Sequence, residues 1–307
     1  MPHGSKRRRP TGAVFTRLSR GARNLHGAFT RRGRSGDLTD LAGLLGVDLS
    51  TGALVLLLVA ALVAGWVDAV VGGGGLVQLP ALLIGLPPGT QPAAVLGTNK
   101  LSSIWGTATS SLTFARRVRL DWRTVVPLVV AAGAGSAGGA QLAKLLPASA
   151  FTPIVLVALV VVGLYTWRRP ELGLVNQQRH TGGAHYGRTA VIGVVVGAYD
   201  GFLGPGTGSF FVIALVGVLG YGFLEASAKA KIANLVTNFA ALVVFGAHGS
   251  VLWGLGLTMG AANLLGGYVG ARTAIAKGNA FVRRVFLLVL AALIVKLAYD
   301  TVRTYVG

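Results

Sequence analysis

Two carboxylates stand at matching places ahead of two glycine clusters. Asp68 precedes Gly72, Gly73, Gly74 and Gly75. Asp200 precedes Gly204, Gly206 and Gly208, with Pro205 and Thr207 between them. The pattern Gly-x-x-Asp-x-x-x-Gly-x-Gly runs from Gly65 to Gly74 and again, 132 residues on, from Gly197 to Gly206. Each copy closes a long apolar run. Glycine takes conformations that other residues avoid, and proline removes a backbone donor. A helix is therefore expected to break at each cluster and to restart at Leu76 and at Ser209. The first N–H groups of a restarted helix are unpaired and carry the positive end of its dipole. Two such ends meeting near the bilayer midplane would form an anion site made of backbone. A charge at that depth costs a few kcal/mol and is usually kept for a pathway, a proton site or a partner. Asp68 and Asp200 are therefore candidates for coupling to an ion. The alternative is that each caps the backbone around its own break.

A third segment in each half supplies further polar groups. The first carries Asn99, Lys100 and Ser102, and the second carries Lys229, Lys231, Asn234 and Asn238. Asn234 and Asn238 are four apart and share a helix face, and Asn99 shares one with Ser102. Amides and hydroxyls can hold an oxyanion without a permanent charge. Lys100 or Lys231 could add one, whereas Lys229 reads as a side chain that snorkels to the interface. Asn99 matches Asn234 if three residues are inserted between the glycine motif and this segment.

Little else looks like chemistry. The chain has no cysteine and only five histidines. There is no HExxH pattern and no pair of histidines at ligand spacing, so no catalytic residue, metal or cofactor is expected. The glycine clusters lack the strand and the following acid of a nucleotide fingerprint.

The elements that must hold these residues are apolar helices. The 307 residues are 53% hydrophobic and 12% charged, about half the usual charged fraction. Mean hydropathy is +0.66. The apolar segments are apolar all round, unlike the amphipathic helices of a soluble core. The fold class is thus an all-α polytopic membrane protein. It divides into a basic tail (1–49), a first membrane unit (50–168), a linker (169–188) and a second unit (189–307). Each unit holds about five segments, some short or broken. In the first these are Ala53–Val71, Leu76–Leu86, Ala93–Ala115, Trp122–Leu146 and Phe151–Trp167. In the second they are Thr189–Leu203, Ser209–Tyr221, Glu225–Ala247, Val251–Ile275 and Phe281–Thr304. Gly135 and Gly139 recur as Gly266 and Gly270, small faces that let helices approach closely.

Loop charge orients the units. Arg116, Arg117, Arg119 and Arg123 follow segment three in the first half. In the second half Arg272, Lys277, Arg283 and Arg284 follow segment four. Basic loops favour the cytoplasm. Equivalent loops then face opposite sides, so the repeats are inverted. About ten spans result, with 116–123, 169–188 and 272–284 inside and both termini outside. Nine spans would instead bring the N-terminal tail inside. That tail carries ten Lys and Arg within residues 1–34 and no recognition motif for nucleic acid. It reads as a disordered arm against anionic lipid headgroups.

At these residues the chain resembles the sulfite exporter family TauE/SafE. AGWVDAVVGGGGLVQLPALLIGLPP followed by LGTNKLSSIWG is similar to the family's first signature. GAYDGFLGPGTGSFFVIAL followed by AKIANLVTNFAAL is similar to its second. The resemblance covers about residues 50–305. It implies a secondary transporter of the plasma membrane for sulfite or another sulfur-containing or organic anion. Such a protein would be a multi-pass membrane protein with the bilayer and a small anionic solute as partners. A coupling ion, proton or sodium, is expected, and nucleic acid is not. A passive anion channel, and less readily a membrane-embedded enzyme, are the other readings of the same residues.

Overall fold

The computed structural model describes residues 47–142, 173–178 and 180–306, together with 157, 160, 164 and 168. The described residues form eight helices and no strand. They are α1 (Thr51–Val71), α2 (Gly74–Gly85), α3 (Pro92–Ala115), α4 (Trp122–Leu142), α5 (Gly182–Phe202), α6 (Thr207–Ala214), α7 (Phe223–Ala247) and α8 (Trp253–Val306). A π-helical turn, Leu215–Leu219, continues α6. The N-terminal tail and most of the expected segment Phe151–Trp167 lie outside the described residues.

Local sequence explains most boundaries. Ser50 caps α1, its Oγ accepting from the Ala53 N–H at 3.2 Å. Pro92 opens α3, where its missing N–H costs nothing. Both glycine clusters break the chain as expected, but each helix restarts two residues early, at Gly74 and at Thr207. Glycine is tolerated in a first turn when the backbone before it has already changed direction. Likewise α5 starts at Gly182, before the apolar run from Thr189 that marks it in the sequence. The fourth and fifth segments of the second half are the two parts of α8, which are separated by a kink at Gly278 as the sequence predicts. The kink is a single non-helical residue, at φ 70°. Asn279 fixes this joint by accepting from Leu224 N–H at 2.7 Å and donating to Leu174 C=O at 2.8 Å.

α1, α4 and α7 are long and apolar enough to cross a membrane. α2 is 12 residues long, or about 18 Å, against a hydrocarbon core of about 30 Å. Exposed apolar residues recur four apart on the outer faces: Val55 and Val59, Val126 and Val130, Val191 and Val195, Phe239 and Val243. Apolar outer faces of this kind suit lipid contact and not water.

The packing is crossed. α1 packs on α8 and α5 packs on α4, while α3 and α7 pack on each other. Lipid gives no hydrophobic drive for helices to associate, so close approach and hydrogen bonds must supply it. The glycines do this. A Cβ on Gly65 would fall 2.2 Å from the Asn263 carbonyl oxygen, and one on Gly266 would fall 2.0 Å from that of Leu62. In the other pair, a Cβ on Gly197 would fall 2.3 Å from Ala132 O, and one on Gly139 would fall 2.1 Å from Ala198 O. The small faces read from the sequence are therefore helix contacts. Asn263 adds polar bonds inside the α1–α8 seam. Its Nδ2 donates to Ala61 O and to Gln78 Oε1, each at 3.0 Å.

Candidate substrate site at the crossing of two glycine breaks

The two breaks touch. α1 ends at Gly72, whose φ of 85° lies in the left-handed region open to glycine. Its N–H donates to Asp68 O at 2.8 Å. The second break turns through Gly204 at φ 86° and Gly206 at φ 77°. Tyr199 Oη donates to Pro205 O at 2.7 Å and Thr207 Oγ1 to Gly204 O at 2.8 Å, holding that turn from both sides. Ser209 then reaches across to the first break. Its N–H donates to Gly72 O at 3.1 Å and its Oγ to Val71 O at 2.9 Å. A Cβ on Gly72 would fall 2.1 Å from the carbonyl carbon of Gly208. Only bare backbone on both strands permits this contact.

Four buried charges surround the crossing and pair between the two halves. Lys100 Nζ on α3 lies 2.7 Å from Asp200 Oδ2 on α5, with side chains 4% and 1% exposed. Lys231 Nζ on α7 lies 3.0 Å from Asp68 Oδ2 on α1. Asp68 sits against its own break, since a Cβ on Gly74 would fall 2.6 Å from the Asp68 Cβ. Lys100 sits against the other break, 3.4 Å from a Cβ on Gly204. Each ion is desolvated, and each depends on its partner for compensation. The lysines are therefore neutralised in this conformation and do not stand as free positive charges.

The remaining candidate residues divide. Asn99 belongs to the crossing: its Nδ2 lies 3.8 Å from a Cβ on Gly75, which also faces Pro205 and Gly204. The Asn99 Oδ1 is buried and has no hydrogen-bond partner among the described residues. Gly73 lies 3.8 Å, measured from its Cβ position, from Ser209 Oγ. Asn234 and Asn238 lie further along α7 on the Lys231 face, Asn238 about 10 Å up the axis. Asn238 Nδ2 donates to Thr107 Oγ1 at 3.3 Å, and the Asn234 oxygens accept from Thr237. Lys100 and Lys231 take equivalent partners and stand 131 residues apart, as do Thr107 and Asn238. In that register Asn99 stands opposite Ala230. The match of Asn99 with Asn234 is thereby corrected, and no three-residue insertion is needed.

A second buried polar cluster was not read from the sequence. His185 Nε2 lies 2.9 Å from Thr124 Oγ1 and 3.1 Å from Tyr221 Oη. Thr124 Oγ1 in turn donates to Asp121 Oδ2 at 2.7 Å. That bond, followed by the Arg123 N–H, holds the Asp121 carboxyl below the ordinary carboxylate value. Lys229 does not snorkel. It is fully buried, 2.5 Å from Glu225 Oε1 and 4.0 Å above the centroid of the Tyr221 ring. The signal available for it was Glu225 four residues earlier on the same helix face. Among the described residues no cluster of His, Cys, Asp and Glu could hold a metal ion.

An all-α protein with an apolar exterior and buried charges at touching helix breaks belongs to the membrane transport class, and comparison with known proteins agrees. The model of the family Sulfite exporter TauE/SafE matches residues 57–297, and the chain belongs to that family. It is 38% identical over 253 residues to a probable membrane transporter protein, ORF9, of a Sinorhizobium species; the match covers 82% of this chain and 95% of that one. It is 33% identical over 256 residues to a probable membrane transporter protein of Haemophilus influenzae, covering 83% and 97%. It is 34% identical over 248 residues to the probable membrane transporter protein YfcA of Escherichia coli, covering 81% and 90%. No solved structure gives a significant match. Family and relatives are transporters by name, which points away from an enzyme.

Proposed function

We propose that the chain is a secondary transporter moving a small anion, sulfite or another sulfur-containing or organic anion, across the plasma membrane by alternating access. The observation that carries this reading is the contact of the two glycine breaks, Ser209 on Gly72, between two buried ion pairs that each join one half to the other. The substrate residues are Gly72, Gly73, Gly74, Gly75, Asn99, Lys100, Gly204, Gly206, Thr207, Gly208, Asn234 and Asn238. Asp68 and Asp200 carry the coupling. An entering anion competes with these carboxylates for Lys231 and Lys100. A displaced carboxylate is then buried without a partner, a costly state that proton uptake relieves. The anion and the proton would enter together, and sodium beside the carboxylate is the alternative counter-charge. The two halves act as inverted repeats of about five segments, about ten in all with α2 and α6 short. The polar stretch 169–188, whose last seven residues form the first turns of α5, is the cytoplasmic linker, and the basic tail lies on lipid headgroups.

Purified protein in liposomes tests this. Uptake of sulfite, sulfate, thiosulfate and sulfoacetate is measured with and without a pH gradient. Saturable flux of at least one anion, accelerated by the gradient and lost in Asp200→Asn, is the expected result. Flux that never saturates would identify a passive channel instead. Absence of flux for every anion under every gradient would end the proposal.

A further inference from the structure

The arginines of two distant loops converge on one cleft. A cavity of about 330 Å³ opens between the C-terminal end of α3 and the middle of α8, lined by Arg116, Arg117, Tyr268, Arg272, Ile275 and Ala276. A neighbouring cavity of about 430 Å³ shares Arg116 and Arg117 and adds Arg119 and Trp122. Both are lined by the basic residues at these helix ends, and neither lining includes a residue of the glycine crossing. We propose that this cleft binds the phosphate of an anionic phospholipid, with the acyl chains running along α3 and α8.

Charge is the first argument. The ion pairs among the described residues are Lys100–Asp200, Lys229–Glu225 and Lys231–Asp68, and none uses these arginines. The nearest acid in the loop, Asp121, is already engaged by Thr124 Oγ1 and the Arg123 N–H. Several guanidinium groups gathered without a carboxylate repel one another and call for an external anion. Geometry is the second. Arg272 Nη1 donates to Tyr268 Oη at 2.9 Å, and its guanidinium lies 5.3 Å from the centroid of that ring. The planar fork is held in place before any ligand arrives, as bidentate phosphate recognition requires.

The third argument selects a lipid over a soluble anion. Ile275 and Ala276 give the cleft an apolar wall. Leu112 is 52% exposed beside it on α3, and Leu265 and Val269 are 59% and 53% exposed one turn below on α8. A free oxyanion gains nothing from these surfaces, whereas acyl chains cover them. Trp122, 57% exposed at the rim, is the kind of side chain that sits at headgroup level. Basic pockets at the cytoplasmic ends of membrane helices suit anionic headgroups.

The test uses the full chain in nanodiscs of phosphatidylcholine with or without phosphatidylglycerol. Lipid retained on release is counted by native mass spectrometry, and the thermal midpoint is followed in parallel. Wild type is expected to retain phosphatidylglycerol selectively and to melt higher with it. The double variant Arg117→Gln/Arg272→Gln should lose roughly 30-fold of that preference, about fivefold per arginine near a charged surface. Arg188→Gln, an exposed arginine outside the cleft, should keep it. A double variant that retains phosphatidylglycerol as wild type does would overturn the assignment. So would inorganic phosphate in solution reproducing the whole stabilisation, which would make the ligand a free anion. If the double variant does not fold, wild type alone decides: retention no greater than for phosphatidylcholine removes the site.

Discussion

Replacing Asp200 by Asn leaves the shape of the crossing intact and strands Lys100 as an unpaired buried cation. The pair sits at 2.7 Å with side chains 4% and 1% exposed. At an effective dielectric constant of about 20 the lost attraction is about 6 kcal/mol. Part of that is offset by relaxation and water entry, so the single variant should cost about 3–5 kcal/mol, the usual penalty for breaking a buried pair from one side. Lys100→Met should cost a similar amount by stranding Asp200. The double variant Lys100→Met/Asp200→Asn removes both charges and should recover most of the loss, because desolvation cancels much of what the pair contributes. Denaturant unfolding of the full chain in detergent, run on all four proteins, gives the coupling energy. A coupling of about 3 kcal/mol or more is expected. A value below about 1 kcal/mol, as exposed pairs give, would refute the reasoning from burial. The same proteins bear on transport: a double variant that folds and transports at the wild-type rate would make the pair structural and nothing more.

Gly72→Ala places a Cβ 2.1 Å from the Gly208 backbone at a φ of 85°, so it should lower folded yield and abolish flux, whereas Gly138→Ala meets nothing within 4 Å and should be silent; expression and flux of both variants check this. Asp121 supplies a pH dependence. Its carboxyl is held below the ordinary value by Thr124, so its contribution is present above the unfolded-state value and is lost as pH falls through the native one. The difference in melting midpoint between wild type and Asp121→Asn should therefore shrink on acidification below about pH 4. A difference that stays constant or grows would contradict it.

Much of this was legible in the chain. The glycine breaks, the segment ends at Val71, Ala115 and Ala247, and the close-packing glycines follow from local rules of backbone freedom and apolar length. The restarts at Gly74 and Thr207 were misjudged because a glycine inside a first turn costs little once its neighbours turn the chain. The ion pairs were not read at all, although their signal was present. Asp68 and Asp200 repeat at almost the same offset as Lys100 and Lys231, and opposite charges repeating together inside apolar runs need each other. His185 and Asn263 were passed over for a similar reason. A lone polar residue in such a segment must find a partner somewhere, but local pattern does not say which. Contacts such as Asn263 with Gln78 and His185 with Tyr221 are set by tertiary packing alone.

The crossed packing of α1 on α8 has a consequence for biosynthesis. The face that receives Gly65 is centred on Asn263, about 200 residues downstream. At typical elongation rates that face reaches the membrane about 10–40 s later. The second half meets no such delay, since α4 is already in place when α5 appears. Until α8 is made, α1 waits in the bilayer without its Asn263 contact, although Lys231 on α7 can reach Asp68 before then. A truncation before Trp253 should thus leave α1 without its contact on α8, and degradation of nascent chains should concentrate on that interval.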